Sequence, residues 1–266
     1  MVLKYGIVFS VLLFVISSCS RSGQFPQKIS EKTAMNSVTL DHSFLPAGYI
    51  FHNDSVIKND FGNEFKELFQ EKYKFDEKNS AFDLTNLENK WKILQNQKNN
   101  FNFENVKQWV EITGFLLELS GNTAYASELE EIIYKSASLF SEQEHKEIEK
   151  EIKPWIFTKN LDNVYVNLFV NATLKYEHSL YGAVEITQET SYPESEKIKL
   201  TFKMQEKRYI ELFIRIPEWA EGATVTETGV KYVANPGTYS QILRKWGDGD
   251  TVEINFPIEN MPKPLP

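Results

Sequence analysis

The chain has 266 residues, a hydrophobic fraction of 41%, an aromatic fraction of 14% and a formal net charge of −8. This composition supplies a packed core of one large or two modest domains and excludes collagen-like and disordered classes. A net negative surface repels phosphates and argues against nucleic acid as a partner.

The chain opens with Met1-Val2-Leu3-Lys4, an apolar run from Tyr5 to Ile16, and then Ser17-Ser18-Cys19. A basic start, a short apolar run and small residues before the cut describe an export signal. The run falls short of the roughly 20 residues of a spanning helix. With cysteine at the cut, residues 1–18 resemble a bacterial lipoprotein signal peptide. The resemblance implies lipid attachment at Cys19, the chain's one cysteine, and a membrane-anchored place in the cell envelope. A single acyl chain binds membranes marginally and several hold stably, so the multiple chains of a lipoprotein anchor suffice. Residues 19–58 read as a tether and irregular segment.

Residues 59–153 carry helical spacing. Phe61, Phe65, Leu68 and Phe69 recur at three- and four-residue steps, as do Leu84, Leu87, Trp91 and Leu94. The stretch from Asn105 to Leu119 carries two adjacent apolar stripes, which predicts a helix buried on more than one side. Gly121 ends it, because glycine accepts the left-handed conformation just past a helix. Leu129, Ile132, Ile133 and Phe140 form the inner face of a second helix, and the short Ser120-Gly121-Asn122 link makes the pair an antiparallel hairpin.

Residues 154–266 change to a period of two. Val164, Val166, Leu168 and Val170 alternate with Tyr165, Asn167, Phe169 and Asn171. Three further runs repeat the pattern: Ile198 to Met204, Ile210 to Ile216, and Val252 to Phe256. Asn235-Pro236-Gly237 and Gly247-Asp248-Gly249-Asp250 are turn sequences. The expected fold class is α+β, a shortened N-terminal helical region followed by an antiparallel β-sandwich.

Five motifs in this region occur in a fixed order: Val164-Tyr165-Val166-Asn167-Leu168-Phe169, Thr187-Gln188-Glu189-Thr190, Ile214-Arg215-Ile216-Pro217-Glu218-Trp219-Ala220, Pro236-Gly237-Thr238-Tyr239 and Arg244-Lys245-Trp246-Gly247-Asp248-Gly249-Asp250. Together they resemble the β-sandwich that follows the catalytic barrel in glycoside hydrolase family 127, the β-L-arabinofuranosidase family. The hairpin around Leu119-Ser120-Gly121-Asn122-Thr123-Ala124-Tyr125-Ala126 and Glu131-Ile132-Ile133-Tyr134 is similar to that family's last barrel helices. The resemblance implies a remnant of an α/α barrel. About 140 residues before Pro154 cannot supply twelve helices of about 11–12 residues with their loops.

Those enzymes use a zinc-bound cysteine nucleophile beside a glutamate and further cysteines, because the metal converts a weakly nucleophilic thiol to thiolate. The stretch matching their Glu-x-Cys pair is Asn102-Phe103-Glu104-Asn105-Val106, without sulfur. The interval matching their Cys-Cys pair, Lys135 to Asn163, has no cysteine. No catalytic, metal or cofactor residue is therefore assigned.

Other chemistry is weighed against surface charge and core packing. Glu185 and Glu189 lie on one strand face and read as a solvated edge. His145 lies one turn from Glu149 in a charged run that reads as a solvated helix face; His42, His52 and His178 complete the histidines. Among the aromatics Trp155, Tyr165, Tyr181, Tyr192, Trp219, Tyr239 and Trp246, the motif tryptophans Trp219 and Trp246 read as structural. Trp155 and Tyr192, beside Pro154 and Pro193 in loops, are the candidate glycan contacts. The leading expectation is a lipid-anchored, catalytically degenerate relative that binds a glycan or serves carbohydrate processing. The alternatives are an active glycoside hydrolase with a carboxylate-based site and a sandwich that folds without a ligand.

Overall fold

The computed structural model describes residues 27–28, 37–41, 44–45, 61–76, 78 and 81–262. The signal peptide expected at 1–18, Cys19, His42 and His52 lie outside the described residues. Two short strands come first, β1 (Gln27–Lys28) and β2 (Ser37–Leu40). Five helices follow: α1 (Gly62–Asp76), α2 (Leu84–Gln95), α3 (Phe103–Ser120), α4 (Thr123–Leu139) and α5 (Glu142–Ile152). The remaining strands are β3 (Phe157–Asn160), β4 (Asn163–Val166), β5 (Ala172–Glu177), β6 (Ala183–Thr190), β7 (Lys197–Met204), β8 (Arg208–Arg215), β9 (Thr224–Glu227), β10 (Val230–Val233), β11 (Tyr239–Trp246) and β12 (Thr251–Asn255).

Local chemistry sets the helix ends. Asp83, Asn102 and Asn122 accept backbone N–H groups at the starts of α2, α3 and α4, and Ser141 with Glu144 forms a reciprocal capping box on α5. Gly121 ends α3 at φ 63° with its N–H bonded to the Leu117 carbonyl, as expected for the hairpin. Along α3, Val106, Trp109, Val110, Ile112, Phe115, Leu116 and Leu117 are all buried, which bears out burial on more than one side.

The strands form two sheets, ordered β1-β3-β4-β8-β11 and β10-β9-β12-β7-β6-β5-β2. The pairing is antiparallel except between β4 and β8, which run parallel. Between the sheets Trp246 of β11 stacks on Phe202 of β7 at 4.1 Å, amid buried Leu200, Leu212, Ile214 and Ile254. The α+β class therefore holds, with the helices set against one end of a sandwich.

Three local expectations change. The segment expected as a tether, 19–58, supplies β1, which pairs with β3, and β2, which pairs with β5. It also buries Val38, Phe44 and Leu45; alternation of only Val38 and Leu40 is too brief to register as a period. The run from Val164 stops as a strand at Val166. Leu168, Phe169 and Val170 are nevertheless buried along with Asn167, because helices cover this end of the sheet. Finally, β6 lies inside the seven-stranded sheet, so Glu185 and Glu189 sit on its outer face and not on an edge; Glu185 pairs with Lys175 at 3.0 Å.

Candidate functional site

The helices meet the sandwich through a buried polar joint. Arg215, fully buried at the end of β8, donates from Nε to the Asn167 carbonyl at 2.5 Å and from one terminal nitrogen to Ser127 Oγ at 3.1 Å. Its other terminal nitrogen lies 2.9 Å from the Glu130 carboxylate of α4. Asn167 donates to the Trp155 carbonyl and to Thr158 Oγ1, and accepts from the Tyr239 hydroxyl at 2.6 Å. Burial pushes the Tyr239 phenol up; burial, then the Glu130 charge, does the same to Tyr134 and Tyr192.

Trp155 and Tyr192, the expected glycan contacts, belong to this joint. Trp155 is 4% exposed and packs against Gly114 of α3, where a Cβ would come within 2.1 Å of the indole. Tyr192 is 6% exposed, parallel to Trp219 and edge-on to Phe169 and Phe256. Flanking prolines suggest loops, but Trp155 ends a short helical turn packed against α3 and Tyr192 is enclosed by Trp219, Phe169 and Phe256, so neither ring is open to a sugar.

A cleft of about 30 Å³ opens between α3 and α4 and is lined by Lys98, Trp109, Glu128, Glu131, Lys135 and Ser136. At about 10–15 Å³ per water it admits water and excludes a sugar ring. Its carboxylates are engaged. Glu128 accepts from Trp109 Nε1, Gln95 and Lys98 at 2.9, 2.9 and 2.7 Å, and Glu131 pairs with Lys98 and Lys135. Burial pushes the Glu131 carboxyl up, but the two lysines outweigh it and hold it below the usual carboxylate range. A glycosidase acid needs the opposite shift.

Behind the cleft, His145 and Glu149 face inward, not to solvent as expected. Both are buried on the α5 face that carries Ile148 and Ile152. His145 Nδ1 lies 2.9 Å from Ser136 Oγ and its Nε2 3.2 Å from Glu149, which accepts the Phe44 N–H at 2.8 Å. The zinc implied by the family resemblance does not fit these residues. Glu104 is exposed and paired with Lys107, Asn105 bonds to Phe61 and Asn102, and Val106 is apolar. Among the described residues no group of three or more His, Cys, Asp or Glu is placed to hold a metal ion.

An open groove of about 140 Å³ lies at the opposite end of the sandwich, lined by Tyr181, Gly182, Ala183, Gln205, Glu206 and Arg208. It is built by the β5–β6 loop, residues 178–182, against the β7–β8 turn. His178 and Gly182 close the loop through a 3.0 Å backbone bond, and Tyr181 N–H bonds to the His178 carbonyl at 2.9 Å. Glu177 accepts the Gly182 N–H at 2.6 Å, and Arg208 Nε donates to the Tyr181 carbonyl at 3.2 Å. These bonds hold Tyr181 at φ 62° and Gly182 at φ 102°, the first a conformation that costs a non-glycine residue about 1–2 kcal/mol. The Tyr181 ring is 82% exposed and Leu180 is 72% exposed. Glu206 and Arg208 pair at 2.9 Å beside the ring.

An open aromatic face next to a carboxylate, an amide and a guanidinium suits a ligand with one apolar face and a rim of hydroxyls. The sequence displays Tyr181 as one aromatic among several, and its lack of a flanking proline sets it behind Trp155 and Tyr192 as a candidate contact. The missed signal is Leu180-Tyr181-Gly182 itself, two large apolar residues in a hairpin turn where small polar residues are usual.

Residues 163–258 match the family described as beta-L-arabinofuranosidase, GH127 middle domain. Among solved structures, a glycoside hydrolase is similar at 21% identity and a TM-score of 0.49, over 58% of this chain and 32% of that one. A GH127 β-L-arabinofuranosidase from Geobacillus stearothermophilus T6 is similar at 23% identity and a TM-score of 0.47, over 57% and 30%. A GH127 β-arabinofuranosidase is similar at 19% identity and a TM-score of 0.46, over 56% and 32%. The chain thus spans under a third of the length of these proteins. No curated protein matches it. The sandwich from residue 163 to 258 is accordingly a GH127 middle-domain-like region.

Proposed function

We propose that this chain is an exported, lipid-anchored relative of GH127 β-L-arabinofuranosidases that binds a glycan through the Tyr181 groove and does not cleave it. The observation that carries the reading is the Tyr181 ring, held outward in a left-handed backbone beside Gln205, Glu206 and Arg208. Strain kept at an exposed aromatic, with bonds from Arg208 and His178 fixing its backbone, suits a binding loop. The loss of cleavage is supported by the cysteine inventory. The one sulfur nucleophile in these 266 residues, Cys19, stands at the expected lipid attachment position, so they supply no second thiol for a thiolate–zinc site. The anchor is supported by the Lys4-to-Cys19 pattern.

The test is twofold. The purified mature chain, applied to an array of arabinose-, galactose- and glucose-containing oligosaccharides, retains a subset of them, and this retention is lost in Tyr181→Ala. The same protein with added zinc leaves p-nitrophenyl β-L-arabinofuranoside intact. Zinc-dependent release of nitrophenol, or retention unchanged in Tyr181→Ala, contradicts the reading.

A further inference from the structure

The loop that presents Tyr181 is fastened by a histidine whose protonation state the geometry dictates. His178 is 3% exposed at the end of β5. Its Nδ1 lies 3.1 Å from the Leu180 backbone nitrogen, which can only donate, so Nδ1 carries no proton. Its Nε2 lies 3.0 Å from the Tyr209 carbonyl of β8, which can only accept, so Nε2 carries the proton. The ring is thereby the neutral Nε2–H tautomer and ties the loop of one sheet to a strand of the other.

Charged and titratable groups surround this tie from each neighbouring element. Asp162, in the β3–β4 turn, is 3.4 Å from Nε2 and accepts from both Ser179 N–H and Oγ. Lys159 of β3 donates to the Leu161 carbonyl and lies over the buried Tyr176 ring. Glu177 of β5 holds Gly182 N–H. Arg208 of β8 holds the Tyr181 carbonyl, and Glu206 pairs with Arg208. Glu211 of β8 bonds through its N–H to the Asp162 carbonyl. Asp162 faces the Nε2 side and accommodates a positive ring. Among the described residues the Nδ1 side meets the Leu180 N–H, and a second ring proton there sets donor against donor.

We propose that His178 is the positioning residue of the groove: its neutral ring holds the Leu180–Tyr181 platform, and gain of a proton at Nδ1 breaks the Leu180 bond and releases the platform. The inference rests on reading the groove as the glycan site, and it makes binding there acid-sensitive. Asn at 178 supplies an acceptor to the N–H two residues on, as in an Asx-turn, but it carries no titrating group. His178→Asn therefore keeps an acceptor for the Leu180 N–H at every pH while giving up the tie to the Tyr209 carbonyl, so its readout is the pH dependence and not the basal affinity.

Nitrogen-resolved NMR of the mature chain tests the mechanism without a ligand. At pH 8 the His178 ring shows the Nε2–H tautomer. On acidification to pH 5 the Leu180 and Tyr181 amide signals shift with the His178 ring, and in His178→Asn they stay fixed. A ring found as the Nδ1–H tautomer, or loop amides that do not follow the His178 ring, overturns the proposal while leaving the glycan reading intact. Methyl β-L-arabinofuranoside is the probe for the second arm. Its binding weakens about tenfold from pH 8 to pH 5 in the wild type and stays level in His178→Asn. Equal weakening in both overturns the switch. Failure of the probe to bind at pH 8 counts against the glycan reading alone, because the amide titration still decides the mechanism.

Discussion

The guanidinium of Arg215 and the carboxylate of Glu130 lie 2.9 Å apart inside the seam where α4 meets β8. The pair joins the helical half of the chain to the sandwich. Glu130 also faces the half-buried Tyr134 and the buried Tyr192, and Arg215 lies over the Phe169 ring at 5.1 Å. Removing one member leaves the other charge buried, which typically costs about 3–5 kcal/mol. Arg215→Met is expected to unfold some 6–20 °C below wild type, at about 2–4 °C per kcal/mol for a chain of this size. Differential scanning calorimetry of Arg215→Met, Glu130→Gln and the double variant checks it. The double variant is expected to lose less than the two single losses together. Strict additivity would show that the pair does not hold the halves together.

Gly114 is the second fastening. A Cβ there would meet Trp155 at 2.1 Å, closer than any side chain can approach, so either α3 or the indole must move. Gly114→Ala is expected to destabilise by about 3 kcal/mol, the upper part of the usual overpacking range. In a Trp155→Leu background the same substitution is expected to cost much less. Urea unfolding of the four proteins measures the difference, and an equal cost in both backgrounds would place the clash elsewhere.

Alkaline stability follows from the buried phenols. Tyr134, Tyr176, Tyr192 and Tyr239 are all pushed up, first by burial. A group whose folded value lies above its unfolded one favours the folded state fully below the unfolded value, about pH 10 for tyrosine, and that stability is lost as pH rises toward the folded values. Raising pH from 9 to 12 is expected to unfold the chain cooperatively. The tyrosinate absorbance of these four residues should appear together with the loss of circular dichroism. Complete tyrosinate absorbance at unchanged circular dichroism would contradict their burial.

The acid limb has the opposite sign. Glu131 is held low by Lys135 and Lys98 against its burial, so its contribution is present above its unfolded value of about 4.3 and fades as pH falls through the lower folded one. Glu131→Gln is expected to flatten the dependence of Tm on pH below about pH 4.5. Thermal melts from pH 7 to pH 3 check this, and parallel curves for both proteins would remove Glu131 from the acid response.

Much of the architecture was legible because it rests on local rules. Gly121 after the wide apolar stripe of α3 announced the hairpin, and alternation at 198–204 and 210–216 announced β7 and β8. The two strands from the polar leader were not legible, since β1 and β2 take their stability from partners more than a hundred residues away, at Phe157–Asn160 and Ala172–Glu177. The site leaves the faintest trace in the sequence. Proline flanks suggested open loops for Trp155 and Tyr192, but only tertiary packing decides that α3 covers one and Trp219 the other. His145 looked solvated because its helix is rich in charge, although the spacing with Ile148 and Ile152 puts it on the inner face. Tyr181 depends on a left-handed backbone set by bonds from Arg208 and His178, which no residue pattern displays.

Strain at Tyr181 separates a binding role from a structural one. Glycine there removes the left-handed cost, so Tyr181→Gly is expected to be as stable as wild type or up to about 1 kcal/mol more stable. The most direct measurement is isothermal titration of the wild type and Tyr181→Gly with the oligosaccharide that the wild type retains most strongly on the array. The expected result is at least a tenfold loss of affinity, about 1.4 kcal/mol, with no loss in Tm. Equal affinity in the two proteins would contradict a glycan site at Tyr181.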